Sequence, residues 1–272
     1  MTTPDIRFTG SIPANYDKYL GGVFFDPYAL DAAARLPRNA KRVLEVACGS
    51  GVVTRQLRAV MPADAHLTAT DLSEGMVAYA RSRMPGVAGM DFQPADAAAL
   101  PFPDASFDAI VCQFGIMFVP DKAAAYKEFR RVLAPGGTLL FSVWDSFAVN
   151  PASRLARETV VKLFPDDPPD FLTIPFGYYD IEAIRAELRA AGFTAVTADR
   201  VPKEMRSPSG RELATGFCTG TPLATALAER PSVPVERVID AMAYVVGGAF
   251  GERPVVAPMQ AIVFTATARS EP

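Results

Sequence analysis

The 272-residue sequence predicts an α/β chain built on a parallel sheet covered by helices on both faces. Three observations predict it. Helical and strand patterns alternate from about residue 26 to residue 145. The first and fourth strand-like stretches, RVLEVA and FDAIVC, are mostly apolar, as strands buried on both sides must be. The first of them, RVLEVA at 42–47, runs into a turn carrying Gly49 and Gly51, and helical spacing follows at once.

The elements follow in order. DPYALDAAARL, 26–36, reads as a helix, and 42–47 as a buried strand. VVTRQLRAV, 52–60, has helical spacing. LTATD, 67–71, is a second strand and Ser73 to Met84 a second core helix, with Ser73 as its cap. A short third strand falls at 90–95 and a fourth, FDAIVC, at 107–112. KAAAYKEFRRVL, 122–133, is a helix stopped by Pro135-Gly136-Gly137, and TLLFSVW, 138–144, a fifth strand. Residues 145–180 are rich in proline and aromatics and read as an irregular excursion with a short helix. Asp180 to Ala191 is a helix ended by Gly192; 193–200 and 260–268 read as strands. The stretch between them, 201–259, is too long for a bare loop and carries helical patterns around 210–229 and 234–247. The expected division is a core of about 26–145 with 180–200 and 260–268. A lid is expected from about 1–25, 146–179 and 201–259.

Composition narrows the function classes. Half the residues are hydrophobic, and the formal net charge is -3. No run of Lys or Arg exceeds two, so the basic footprint of a nucleic-acid binder is absent. Cys48, Cys112 and Cys218 are odd in number and widely spaced, which gives no metal pattern and no disulfide framework. The N-terminal twenty residues lack the features of a signal peptide, and no stretch of 18 apolar residues occurs. A cytoplasmic chain without a membrane span is expected. A homodimer formed through the lid is compatible with the sequence and unsupported by it.

Four strand ends carry the chemistry. At VLEVACGSG, Glu45 precedes a turn whose Gly49 and Gly51 admit a ligand close to the backbone. Small molecules bind at the carboxyl ends of such strands. Asp71 ends the second strand, where a carboxylate can accept from both hydroxyls of a ribose. Asp96 follows the third and can accept from an adenine amino group. Gln113-Phe114 follows the fourth. Each has a plainer reading: Asp71 as a cap, Asp96 as a turn former, Phe114 as core, Cys48 as small filler. Their order at successive strand ends favours the ligand site.

These stretches, with TATDLSEGM, FQPADAAALPFPDASFDAIVCQFGIMFVPD and EFRRVLAPGGTLLFSVW, resemble the class I S-adenosylmethionine-dependent methyltransferases. The likeness is to the small-molecule type that includes the ubiquinone/menaquinone biosynthesis enzymes, and it covers about residues 40–145. It implies a Rossmann-like, doubly wound, seven-stranded, mostly parallel sheet with the last strand antiparallel, a place QAIVFTATA fits. It implies S-adenosyl-L-methionine as cofactor and S-adenosyl-L-homocysteine as product. Glu45 would hold the methionine amino group, directly or through water, and Ala47, Gly49 and Gly51 would line that end. Asp71 would take the ribose hydroxyls, with Leu72 and Met76 against the adenine. Asp96 and Ala97 would read the adenine edge, and Gln113 and Phe114 would border the sulfonium. Ala47 departs from the commoner glycine; a slight change in the turn is expected. Of Tyr16 and Tyr19, Tyr19 is assigned to the cofactor and Tyr16 to the substrate, unless the pair simply anchors a helix on the core.

The implied reaction is a displacement at the methyl carbon, which needs alignment and exclusion of water more than a dedicated acid or base. No catalytic residue is assigned. His66, the only histidine, begins a strand that ends at Asp71, roughly 16 Å away at about 3.3 Å per residue, so it belongs at the opposite edge. Asp145, Tyr178 and Tyr179 are the candidate bases, with Trp144 and Tyr178 as candidate substrate contacts. Phe147, Phe164, Phe171, Phe176, Tyr178 and Phe217 give the lid an aromatic character that suits a hydrophobic or aromatic small molecule, or simply packs the lid. A dinucleotide-dependent oxidoreductase would want a third glycine where Thr54 stands. An aminopropyl-transferring enzyme on the same fold would want an acidic substrate cluster, and the sequence shows no clear one. A non-catalytic module would keep the binding fold without turnover, and release of S-adenosylhomocysteine would distinguish it.

Overall fold

The computed structural model describes residues 10–269; the first nine residues of the expected lid lie outside the described residues. A helical N-terminal segment comes first. It comprises α1 (Ile12–Tyr16), a wider π-helical stretch (Asp17–Phe25) and α2 (Asp26–Arg35), with Pro27 in the first turn of α2. Then follow β1 (Arg42–Val46), α3 (Val52–Val60), β2 (His66–Asp71), α4 (Glu74–Arg83), β3 (Met90–Pro94), β4 (Phe107–Gln113), α5 (Lys122–Val132) and β5 (Leu133–Trp144). The remainder is α6 (Pro151–Leu163), a 3-10 helix (Phe171–Phe176), α7 (Ile181–Ala190), β6 (Phe193–Ser207), α8 (Gly210–Thr219), α9 (Leu223–Ala228), α10 (Val235–Phe250) and β7 (Val255–Ala268).

The seven strands form one sheet in the order β3-β2-β1-β4-β5-β7-β6. The first five run parallel; β7 is antiparallel to both β5 and β6. The sheet is therefore the doubly wound, Rossmann-like sheet with an antiparallel final strand. The chain winds from β1 outward to β2 and β3, then returns to place β4 on the other side of β1. That reversal opens a crevice at the carboxyl ends of β1 and β4. Leu44, Ile110, Leu139 and Phe264 are buried on one face and Val43, Val111, Leu140 and Val263 on the other, so both faces are covered. Phe141 and Phe264, opposite each other on β5 and β7, stack at 4.8 Å. Helix starts follow capping chemistry: Ser73 accepts from the Met76 amide, and Asp180 from those of Glu182 and Ala183.

Four elements exceed their expected lengths. The fifth strand begins at Leu133, before the Pro-Gly-Gly run. Leu133 pairs with Phe107 and Thr138 with Ala109, so 134–137 bulge out of the ladder between two paired ends. The 145–180 excursion contains a 13-residue helix, α6, because Ala152, Ala156, Thr159 and Val160 form a buried stripe beneath its charged residues. The last two strands run to Ser207 and back from Val255. Pro202 and Pro258 sit where the two strands pair only with each other or at the sheet edge, where a missing N–H costs little. The helical insertion is thus 208–254, with three helices. Helix α8 packs on the N-terminal segment so closely that a Cβ on Gly216 would lie 2.6 Å from Leu20 and one on Gly220 2.8 Å from the Tyr16 amide.

Candidate functional site

The loop after β1 is held by its own backbone. The Cys48 amide donates to the Thr70 carbonyl at 2.9 Å and the Gly51 amide to the Cys48 carbonyl at 3.0 Å. Ala47, Gly49 and Gly51 all adopt left-handed conformations, with φ of 57°, 54° and 85°. Glycine bears this freely, and alanine at a cost of about 1–2 kcal/mol. The Ala47 methyl fits because residue 115 is glycine: a Cβ there would stand 2.4 Å from it. Gly49 faces open space, and Gly51 lies against Met84 and α4, where a Cβ would meet Met84 at 2.6 Å.

Asp71 ties this loop to the next. One carboxylate oxygen accepts from the Gly49 amide at 2.9 Å and the other from the Ser73 amide at 2.8 Å. Burial raises its pKa, partly offset by these two amides. Around it opens a cleft of about 730 Å³ at the carboxyl ends of β1 to β4. Ala47 and Gly49 line its floor; Asp71, Leu72 and Met76 line one wall; Asp96 and Ala97 form the far edge. Gln113, Phe114 and Tyr16 close the other side. Leu72 is 73% exposed, an apolar side chain left facing the cleft, whereas Met76 is buried behind it. Asp96 accepts from the Ala98 amide at 2.8 Å.

Glu45 does not line the cleft. It lies inside the sheet between Ala69 and Val111, 1% exposed, and its Oε2 has no hydrogen-bond partner among the described residues. Burial, reinforced by the Asp71 carboxylate, pushes its pKa up to about 8. Gly51 is also off the cleft and serves packing. Of the two tyrosines, Tyr16 is the one in the cleft. Tyr19 contacts Lys18, whose ammonium donates to its phenol at 2.9 Å, and turns toward Gly216 of α8. The helix widens from Asp17 onward, so residues three apart no longer share a face. Asp17 fastens this helix to the core by accepting from Ser50 at 3.0 Å and from Tyr79 at 3.1 Å.

A second cavity of about 80 Å³ adjoins the cleft and shares Tyr16, Phe114 and Phe118 with it. Its other walls are Phe24 and Phe25 of the N-terminal segment, Met117, Trp144, the 3-10 helix (Phe171, Phe176) and Phe217 of α8. Phe114, itself left-handed at φ 54°, stacks on Trp144 at 4.1 Å. A strained non-glycine backbone at a cleft wall marks a position the surroundings over-determine. Among the described residues, no Asp, Glu, Lys, Arg or His lines this chamber.

The candidate bases lie elsewhere. Asp145 accepts from Gln260 at 2.7 Å and from Arg200 at 3.2 Å. Tyr178 bonds Glu187 and lies 3.1 Å from the Tyr126 hydroxyl, outside both cavities, and Tyr179 is exposed. His66 pairs with Asp91 at the opposite end of β2. Of the lid aromatics, Phe171, Phe176 and Phe217 line the chamber; Phe147 stacks behind Phe176 at 4.4 Å, and Phe164 is buried off it. Phe24, Phe25 and Met117 escaped sequence reasoning, since an apolar residue in a helix reads first as core. Among the described residues, no group of three or more His, Cys, Asp or Glu could hold a metal ion, and no helix is long and apolar enough to cross a membrane.

The cleft suits a nucleoside ligand with an amino-acid tail at Asp71, Gly49 and Leu72, and not at Glu45, Gly51 or Tyr19, which lie off it. The cleft offers a buried carboxylate at a strand end, open space over Gly49 and an exposed leucine. Known proteins agree. A family model described as a methyltransferase domain matches residues 44–141. A demethylmenaquinone methyltransferase of Clavibacter sepedonicus is 33% identical over 173 residues, covering 59% of this chain and 68% of that one. A ubiquinone/menaquinone biosynthesis C-methyltransferase of Ectopseudomonas mendocina is 39% identical over 106 residues, 38% of this chain and 41% of the relative. Phosphoethanolamine N-methyltransferase 2 of Haemonchus contortus, solved with S-adenosyl-L-methionine, shares the fold at a TM-score of 0.63 and 16% identity, over 100% of this chain and 60% of that one.

Proposed function

The chain belongs to the class I S-adenosylmethionine-dependent methyltransferases, and on that footing we propose that it methylates a hydrophobic or aromatic small molecule held in the chamber beyond Phe114. The observation that carries this reading is the wall of Tyr16, Phe114 and Phe118 common to the cleft and the chamber. A donor in the cleft and an acceptor in the chamber would meet there.

When bound, the cofactor supplies a methyl group on a sulfonium whose departure leaves a neutral thioether. The residues of this chain hold and align. Asp71 accepts the ribose hydroxyls while its amide partners keep it rigid. Leu72 and Met76 pack the adenine, with Asp96 and Ala97 at its edge. Glu45, set back from the cleft, reaches the methionine amino group through water and completes its orphaned oxygen. The aromatic walls exclude water from the reacting atoms, so that alignment contributes most of the rate. The N-terminal segment, the stretch 146–179 and the helical insertion 208–254 together form the acceptor wall. They unite Phe24, Phe171, Phe176 and Phe217 over one end of the sheet.

Release of S-adenosyl-L-homocysteine on adding neutral aromatic acceptors tests the proposal. Turnover should occur with apolar ring compounds and not with hydrophilic amines or phosphorylated alcohols; the reverse preference would refute it.

A further inference from the structure

On the face of the sheet covered by α2 lies a small cavity of about 10 Å³, separate from the acceptor chamber. Its walls are mostly apolar: Ala32 of α2, Val111 of β4, Leu140 of β5 and Val263 of β7. Ser142, Gln113 and Asp31 interrupt them. Ser142 is 5% exposed, and its hydroxyl has no hydrogen-bond partner among the described residues. It pairs with Gln113 in the β4–β5 ladder, so the two side chains leave the sheet on the same face. The Gln113 Nε2 donates to the Phe25 carbonyl at 3.2 Å. A carbonyl can only accept, so this bond fixes which end of the amide faces Phe25 and leaves the oxygen over. That Oε1 is buried and, like the Ser142 hydroxyl, without a partner among the described residues. Burying one such group is costly, and here two meet at one cavity. Alanine or valine would pack beside Val111, Leu140 and Val263 without that cost.

We infer that Ser142, Gln113 and Asp31 bind one buried water here, and that through it Ser142 positions Gln113 at the cofactor cleft. The space is about the least that admits a water, roughly 10–15 Å³, and is too small for any larger ligand. The chemistry of the three groups is complementary. The Ser142 hydroxyl donates to the water, which donates in turn to Gln113 Oε1 and to the Asp31 carboxylate. Asp31 already accepts from Arg35 at 2.7 Å and has lone pairs to spare. Three bonds is about the usual number for a buried water. The consequence reaches the cleft, because Gln113 lines that too. Its amide is held at both ends, the nitrogen on Phe25 and the oxygen on the water. Phe25 closes the π-helical stretch, and its ring stacks on Tyr16 at 4.9 Å. The water thus braces the join between the end of β4 and the N-terminal segment. None of this depends on where the acceptor binds.

A crystal structure of the whole chain with S-adenosylhomocysteine, at a resolution that shows ordered water, should place one water within about 3.2 Å of both Ser142 Oγ and Gln113 Oε1. A dry cavity, or a direct bond between Ser142 and Gln113, would overturn the site. Ser142→Ala tests the positioning role. Were the hydroxyl idle, its removal would relieve an unmet group and leave the melting temperature equal or higher; that result would overturn the inference. As a ligand of the water, its loss should lower the melting temperature. It should also weaken S-adenosylhomocysteine binding about two- to tenfold in calorimetry, the scale of one hydrogen bond. In a Gln113→Met background, where no amide is left to position, Ser142→Ala should leave that affinity unchanged. Full affinity in Ser142→Ala alone, or an equal loss in both backgrounds, would overturn the positioning of Gln113 by Ser142.

Discussion

Replacing Gly115 by alanine should loosen the cofactor loop, and a second substitution should repair it. Gly115 itself has an ordinary right-handed backbone, φ -104°, so alanine there meets no conformational strain. The obstacle is steric. Its new Cβ would lie 2.4 Å from the Ala47 methyl and 2.9 Å from the Cys112 sulfur, where carbon atoms rest at about 3.5–4.0 Å. The Ala47 methyl is fixed to a backbone already at φ 57° and cannot rotate aside. Overpacking of this kind costs about 1–3 kcal/mol, and the shortness of the contact places Gly115→Ala toward the upper end. Ala47→Gly alone should be nearly neutral. It relieves a left-handed alanine, worth about 1–2 kcal/mol, and adds chain entropy to the unfolded state, worth about 0.4–1 kcal/mol. In the double variant only the sulfur contact remains, and the cost of Gly115→Ala should drop to about 1 kcal/mol or less, a coupling of about 1–2 kcal/mol. Urea denaturation of the four proteins without cofactor measures the cycle. Equal cost of Gly115→Ala in both backgrounds would refute the claim that these two residues share one space.

Other perturbations separate binding from stability. Asp71→Ala should weaken S-adenosylhomocysteine binding by about 1.5–3 kcal/mol in calorimetry, while NAD should fail to bind either protein; an unchanged dissociation constant would remove Asp71 from the ribose role. Gly49→Ala has no neighbour within 4 Å but a φ of 54°. It should cost only about 1–2 kcal/mol of stability yet lower cofactor affinity at least tenfold, because the methyl projects toward the ligand; equal affinity would mean that the cofactor does not approach this loop. Glu45 carries a folded-state pKa of about 8 against an ordinary 4.5. Between these values the folded protein keeps a proton that the unfolded chain has lost. Its contribution to stability is therefore full below about 4.5 and fades as pH rises through about 8. Glu45→Gln should flatten that decline in cofactor-free thermal melts; an unchanged pH profile would contradict the burial of the acid.

The half of the chain before residue 145 was legible because buried parallel strands, caps and glycine turns each leave a local signature. Asp71, Asp96, Gln113 and Phe114 could be placed from strand ends alone, since topology brings those ends to one edge. Tyr16 and Tyr19 could not be told apart, because a π-helical turn changes which residues share a face and has no plain sequence mark. The last two strands run past Pro202 and Pro258, beyond their expected bounds, because whether a proline breaks a strand depends on which edge it faces. Ala47 read as a mild departure from glycine. Its accommodation depends on Gly115, 68 positions away, a contact that no local pattern encodes. The acceptor chamber draws aromatic residues from the N-terminal segment, the 3-10 helix and α8, and only the tertiary arrangement distinguishes Phe171, which lines it, from Phe164, which does not.

The position of one sulfur atom tests the account most directly. In a crystal of the protein grown with S-adenosylhomocysteine, Asp71 should bond the ribose. The thioether sulfur should lie within contact distance, about 4.5 Å, of the wall shared by Tyr16 and Phe114, facing the chamber. A sulfur pointing away from that wall, or a ribose that bypasses Asp71, would contradict it.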